Sequence, residues 1–242
     1  VVGGLVFMLF FYIRHGDPVY EPDSLTPLGE RQAEALSKRL ARCGIDEIYS
    51  SASNRAYMTA LPTAQLLGKK ITKLEWARED YAWAQLAVKP GGWVFQSEKH
   101  RRLFASREIR SLGKDWTRHP SFAGTKFEEG IDRIQKESDK FFEQLGYRHD
   151  AEDGCYYCDR ENDNRKIAFF AHQGFGLAFL SCILDIPYPE FCTRFDLCHS
   201  SMTVIDFDAP EGIAVPKVLE LSNDSHIYAE GLPTEYNHIY RF

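Results

Sequence analysis

The chain has 242 residues, 44% of them hydrophobic and 26% charged, the proportions of a globular protein able to bury a sizeable core. Its 29 Lys and Arg against 35 Asp and Glu leave a formal charge of −6, which argues against the broad basic face of a nucleic-acid binder. If an anion is bound, the positive charge that meets it must be local and aimed.

The apolar opening, Val1 to Ile13, is shorter than the roughly 20 residues a bilayer span takes. No basic residue precedes it, so it is also a poor signal peptide, and no membrane association is expected. Its continuous rather than alternating apolar character predicts a strand buried on both faces of a parallel sheet. Met8 offers an alternative start, which would make Val1 to Phe7 an upstream extension. The strand stops abruptly on Arg14-His15-Gly16, so a charged and a titratable side chain stand at its end, which is expected to face solvent.

"DSLTPLGERQAEALSKRLARCG" predicts a helix with Thr26 as N-cap, Pro27 as first residue, Ala33, Leu36 and Leu40 on one face and Gly44 as its stop. "DEIYSS" reads as a short strand and "SNRAYMTALPTAQLLG" as a second helix, kinked at Pro62. "KKITKLEWARED" reads as a third strand running into a loop. From about Asp80 to Lys166 the pattern loosens, which suggests a cap-like insertion in a single α/β domain spanning 1–242. The helical "FEEGIDRIQKESDKFFEQLG" within it returns to pack on the sheet. "KIAFFAHQGFGLAFLSCILDIP" restores strand, turn and helix, and "SMTVIDFDAPEGIAVPKVLELSND" closes the chain's pattern with two strands. Strands alternating with helices predict an α/β fold with a mostly parallel central sheet flanked by helices.

Of six cysteines only Cys155 and Cys158 have metal-type spacing, and no second pair follows to complete a four-ligand site. Ordinary thiols in a reducing cytoplasm are the expectation, with neither metal nor cofactor.

The second strand-to-glycine junction, "IAFFAHQG", repeats the first. In a parallel α/β sheet ligands sit beyond the carboxyl ends of the strands, so His15 and His172 are expected at one edge. Arg55, in the first turn after "IYSSASN", joins Arg14 there. Two arginines suit a phosphoryl group, whose oxygens match the guanidinium fork, and helix N-termini add donors. The rival reading of paired histidines is a metal site, but flanking arginines would repel the cation.

"YIRHG", "LTPLGERQA", "SSASNRAYMTA" and "FAHQG", in this order, resemble the motifs of the histidine phosphatase superfamily, the phosphoglycerate mutase-like proteins. The resemblance covers both ends of the chain, with the segment from Asp80 to about Lys166 poorly matched. It implies a metal-independent phosphatase in which His15 is the nucleophile and becomes a phosphohistidine. Arg14, Arg55 and His172 would hold the phosphoryl oxygens, with the backbone N–H of Gln173 as a further donor. Where relatives have glycine directly after the second histidine, this chain has Gln173 and then Gly174, which would narrow the pocket. A general acid must protonate the leaving oxygen. Glu75, Glu79 and Asp80 are candidates, and the family spacing favours Glu79, although the glycine that relatives place a few residues later is replaced by "DYAWAQ". The short "DPVYEPDS" between Gly16 and "LTPLG" favours a phosphatase over a phosphoglycerate mutase, the enzyme alternative. The non-enzyme alternative is a phosphate-binding module without turnover. The partner implied is a small phosphorylated substrate. Trp83, Trp93, Phe95, Trp116, Phe122 and Phe127 are expected as core more than as pocket lining.

Overall fold

The computed structural model describes residues 7–88, 92–160 and 163–237. The residues before Phe7, which the alternative start concerns, lie outside that set.

The strands of the main sheet are, in chain order, β1 (Phe7–Arg14), β2 (Glu47–Ser51), β3 (Ile71–Leu74), β4 (Lys166–Ala171), β5 (Met202–Asp208) and β6 (Lys217–Asn223). They lie in the order β6-β5-β1-β4-β2-β3, and only β5 runs against the others. The helices that flank the sheet are α1 (Pro27–Cys43), α2 (Asn54–Leu67), α3 (Glu79–Leu86), α4 (Phe127–Leu145) and α5 (Gln173–Ile183).

The continuous apolar character of β1 follows from its central place. Met8, Phe10 and Tyr12 enter one core with α4 and α5, while Phe11 and Ile13 enter a second with α1 and α2. Strand β4 divides the same way, Ile167, Phe169 and Ala171 to the first core and Ala168 and Phe170 to the second. Successive side chains of a strand point to opposite faces, so a strand covered on both sides must be apolar throughout. The result is a three-layer α/β/α arrangement.

The predicted punctuation is where the sequence puts it. Thr26 caps α1, its Oγ1 accepting from the Gly29 N–H at 3.1 Å, and Gly44 ends it in the left-handed region at φ 76°. Pro62 lies within α2, which runs on to Gly68. In the loosely patterned stretch, α3, α4 and several short helical turns are joined by two strands, Tyr147–Asp150 and Cys155–Cys158, of a small separate sheet. The loop between β5 and β6 supplies that sheet's third strand, Ile213–Ala214. Trp116, Phe122 and Phe127 cluster around Phe104 and are core, as expected. Among the described residues no helix is long and apolar enough to cross a membrane.

Candidate active site

Residues Leu9 to Arg14 of β1 pair in parallel with Lys166 to Ala171 of β4, so the residues just past the two strand ends, His15 and His172, emerge side by side. Their ring centroids are 5.3 Å apart. Tyr12 fixes the junction: its hydroxyl donates to the His172 carbonyl at 2.6 Å and accepts the His172 N–H at 3.2 Å. At Gly16 the chain passes so close to α1 that a Cβ would lie 2.7 Å from the Gly29 carbonyl oxygen. That contact explains the glycine after the histidine: the turn that aims His15 has no room for a side chain.

The Nδ1 of His15 lies 2.7 Å from the Gly16 carbonyl, which can only accept, so Nδ1 carries the proton and Nε2 the lone pair. Burial, followed by the charges of His172, Arg14, Arg55 and His199, holds the His15 pKa well below its ordinary value, and the imidazole is neutral near pH 7. His172 is lowered in the same way by burial and then by Arg55 and Arg14.

The strand end does not face solvent. Arg14 is fully buried, His15 is 3% exposed and His172 is fully buried. The reason is a layer of loops that the sequence pattern did not reveal. Arg14 donates to the Leu197 carbonyl and, at 2.8 Å, to Asn237 Oδ1. His199 stacks on His15 with centroids 6.0 Å apart and reaches Asn237 Oδ1 through Nε2 at 2.8 Å. Because β5 runs antiparallel to β1, the loop entering β5 lies at the edge where β1 ends, which is the signal that could have located His199 in "LCHSSM". Ser200 beside it has φ 59°, an unusual value for serine, and donates its N–H to the His15 carbonyl at 3.0 Å.

A cleft of about 430 Å³ opens over this edge, lined among others by Arg14, His15, Arg55, Glu79, Trp83 and Trp93. His172 stands behind His15 and does not line it. Arg55 is placed by Asp23, whose carboxylate accepts from Arg55 at 2.7 Å and from the Asn54 N–H at the start of α2 at 2.7 Å. Tyr20, exposed on the cleft rim, lies over the Arg55 guanidinium with its ring centroid 5.5 Å away. Four buried polar atoms around the site have no hydrogen-bond partner among the described residues: Arg14 Nε, Arg55 Nε, His172 Nδ1 and His199 Nδ1. Arg14 and Arg55 line the cleft, and their unmet donors cost about 1–3 kcal/mol each, which the oxygens of an anion would offset.

The three candidate acids separate. Glu75 is exposed and is not part of the cleft, and Asp80 is held by Arg78 through two hydrogen bonds of 3.0 and 3.1 Å. Glu79 points inward, its two oxygens accepting the backbone N–H groups of Gly174 at 2.9 Å and Phe175 at 2.7 Å. Burial raises its pKa, against the opposing pull of those two N–H groups, Arg55 and Arg14. Glu79 thus caps α5 at Gly174 and Phe175, while the backbone N–H of Gln173, the donor implied by the resemblance, is not one of its partners. The Gln173 side chain bonds Asp196 and, at 3.4 Å, Asn237, and forms part of the cleft wall. Trp93 packs against Gly174 so tightly that a Cβ there would lie 2.3 Å from the indole.

Cys155 and Cys158 are free thiols at opposite ends of one strand. Among the described residues the one cluster of suitable metal-ligand spacing is Asp17, His199 and Glu235, which includes neither cysteine.

Comparison with known proteins gives the family and the fold. The family model described as histidine phosphatase superfamily (branch 1) matches residues 10–216. A protein of Hydrogenobacter thermophilus named "Putative phosphoserine phosphatase 2" is 25% identical over 156 residues, covering 57% of this chain and 67% of its own. Among solved structures, phosphoserine phosphatase of Entamoeba histolytica in complex with 3-phosphoglyceric acid aligns with TM-score 0.57 and 19% identity over 91% of this chain and 99% of its own. Mycobacterial glucosyl-3-phosphoglycerate phosphatase aligns with TM-score 0.59 and 18% identity over 89% and 99%. These two likenesses concern the fold. The chain belongs to the histidine phosphatase superfamily, branch 1, and is a phosphatase on the phosphoglycerate mutase-like α/β fold.

Proposed function

We propose that the protein hydrolyses a small phosphomonoester through a phosphohistidine on His15, without a metal ion. The observation that carries this reading is the tautomer of His15: with Nδ1–H bound to the Gly16 carbonyl and the pKa depressed, Nε2 presents a lone pair at the floor of the cleft. In the first step Nε2 attacks phosphorus in line, the N–P bond forms and the P–O bond to the leaving group breaks. Arg14 and Arg55 stabilise the charge on the phosphoryl oxygens, the work a metal would otherwise do, while His172, whose Nε2 meets Ser51 Oγ at 2.9 Å, backs the nucleophile from behind. Glu79, whose pKa burial raises against the pull of two backbone N–H groups and the arginines, gives a proton to the leaving oxygen from its protonated form. In the second step the Glu79 carboxylate takes a proton from water, whose oxygen attacks phosphorus and frees His15 and inorganic phosphate.

The test is hydrolysis of para-nitrophenyl phosphate in the presence of EDTA by wild type and His15→Ala. Turnover that survives EDTA and disappears in the variant is expected. Turnover abolished by EDTA, or retained in the variant, would overturn the reading.

A further inference from the structure

A second cavity, of about 570 Å³, adjoins the phosphoryl cleft and shares Gln96, Gln173 and Asn237 with it. Its far side carries Arg101, from the helix Glu98–Phe104, and Arg194, from the loop before β5. Both are tied to the same buried residue: Arg101 donates to the Thr193 carbonyl at 3.2 Å and Arg194 to Thr193 Oγ1 at 3.2 Å. Arg194 also donates to the Glu190 carbonyl at 3.1 Å. Among the described residues neither guanidinium pairs with a carboxylate, whereas Arg102, next to Arg101, pairs with Glu98. Both arginines are exposed on this side and share Thr193 as their anchor, so their guanidinium forks can meet one anion that enters the cavity. Phe95 and Phe195 supply apolar wall to the same cavity, and Asp196 on its floor accepts from Gln173 and from the Leu197 N–H.

We infer that this cavity is the leaving-group subsite, and that it selects a phosphomonoester whose leaving group bears a second anionic group, a carboxylate or a phosphate, met by Arg101 and Arg194. The inference rests on the phosphatase reading for the position of the first phosphoryl group. The carbon skeleton of the substrate passes the partition formed by Gln173, with its apolar parts against Phe95 and Phe195. Glu79 and His15 stay on the other side of that partition, so the second anion stands clear of the reacting atoms.

The test compares equilibrium binding of four probes by calorimetry in the His15→Ala background, where the proposed nucleophile is gone and the probes stay intact: inorganic phosphate, glycerol 3-phosphate, 3-phosphoglycerate and propane-1,3-diol bisphosphate. His15→Ala is expected to bind at least one of the two dianchored probes about ten-fold or more tightly than glycerol 3-phosphate, as charge-assisted contacts at an exposed site allow. Preference for 3-phosphoglycerate identifies a carboxylate, and preference for the bisphosphate a phosphate. With Arg101→Gln and Arg194→Gln added in that background, the ratio of that probe's Kd to the Kd of inorganic phosphate should rise about ten-fold, with the phosphate Kd reporting an intact cleft. Binding of glycerol 3-phosphate as tight as that of both anionic probes, or an unchanged ratio after the two arginine substitutions, overturns the subsite. Because the readout is binding, absent turnover in the wild type would count against the phosphatase reading and leave the subsite standing.

Discussion

Glu79→Gln tests two roles of one side chain. In the wild type both carboxylate oxygens accept backbone N–H groups, those of Gly174 and Phe175 at the start of α5. Glutamine keeps one acceptor and turns an NH2 donor toward the other N–H, so one charge-assisted hydrogen bond is lost and one buried donor is left unmet. Bonds to charged groups are worth about 1.5–3 kcal/mol, and the negative charge at a helix N-terminus adds about 0.3–1 kcal/mol. A loss of about 2–4 kcal/mol follows, which for a chain of this size lowers Tm by roughly 4–16 °C. On the chemical side, loss of a general acid costs about 10²–10⁴-fold in turnover where the leaving group needs a proton. The assays are thermal melting and kcat for an alkyl phosphate against para-nitrophenyl phosphate, whose leaving group needs little protonation. Unchanged Tm would refute the capping role. Equal slowing of both substrates would refute the acid role and return Glu75 and Asp80 to consideration.

Gly174→Ala should push the Trp93 indole from its seat, since its ring atoms would lie 2.3–2.6 Å from the new Cβ. Overpacking costs about 1–3 kcal/mol, partly offset by alanine's better helix propensity. A lowered Tm with a raised KM is expected, and an unaltered KM would show that Trp93 does not shape the cleft. Stability should also fall as pH drops below about 6.5, the ordinary histidine value. His15, His172, His199 and His226 are all buried with lowered pKa, that of His226 to about 4, so the unfolded chain binds more protons and each contributes up to about 1.4 kcal/mol per pH unit in that window. His149 has the opposite sign: burial would lower it, but hydrogen bonds to Asp139 and Asp185 raise it to about 9, so its contribution is complete below about 6.5 and lost as pH rises through 9. Urea midpoints across pH 4.5–9.5 should therefore peak near neutrality, and His149→Gln should flatten the alkaline arm. A flat wild-type profile would contradict both signs. His15→Ala should melt within a few degrees of wild type, because Nδ1 bonds only the adjacent carbonyl. Loss of the folded circular dichroism spectrum would contradict this.

What the sequence made legible followed from local rules. Continuous apolar strands, the Thr26 cap and the left-handed glycines 44 and 68 are set by neighbours in the chain. The meeting of His15 with His172 followed from strand parallelism alone. Burial of the site was not legible, because the loops that cover Arg14 come from Leu197 and Asn237, more than 180 residues away. Nor was the division among Glu75, Glu79 and Asp80, which depends on the N-terminus of α5 lying opposite Glu79. Of the aromatics in the loosely patterned stretch, Trp93, Trp116, Phe122 and Phe127 are core, Trp93 also forming cleft wall, while Trp83, 43% exposed, lines the cleft. Hydrophobicity does not separate Trp83 from the others, and only packing does.

The most direct test of the account is to look for phosphate on His15. Wild type mixed with para-nitrophenyl phosphate would be quenched within milliseconds in alkali, which preserves phosphohistidine, then digested and mapped by mass spectrometry. The account predicts a phosphorylated peptide spanning His15 in the wild type and none in His15→Ala. Phosphate on another residue, or rapid turnover with no phosphoenzyme at any quench time, would contradict it.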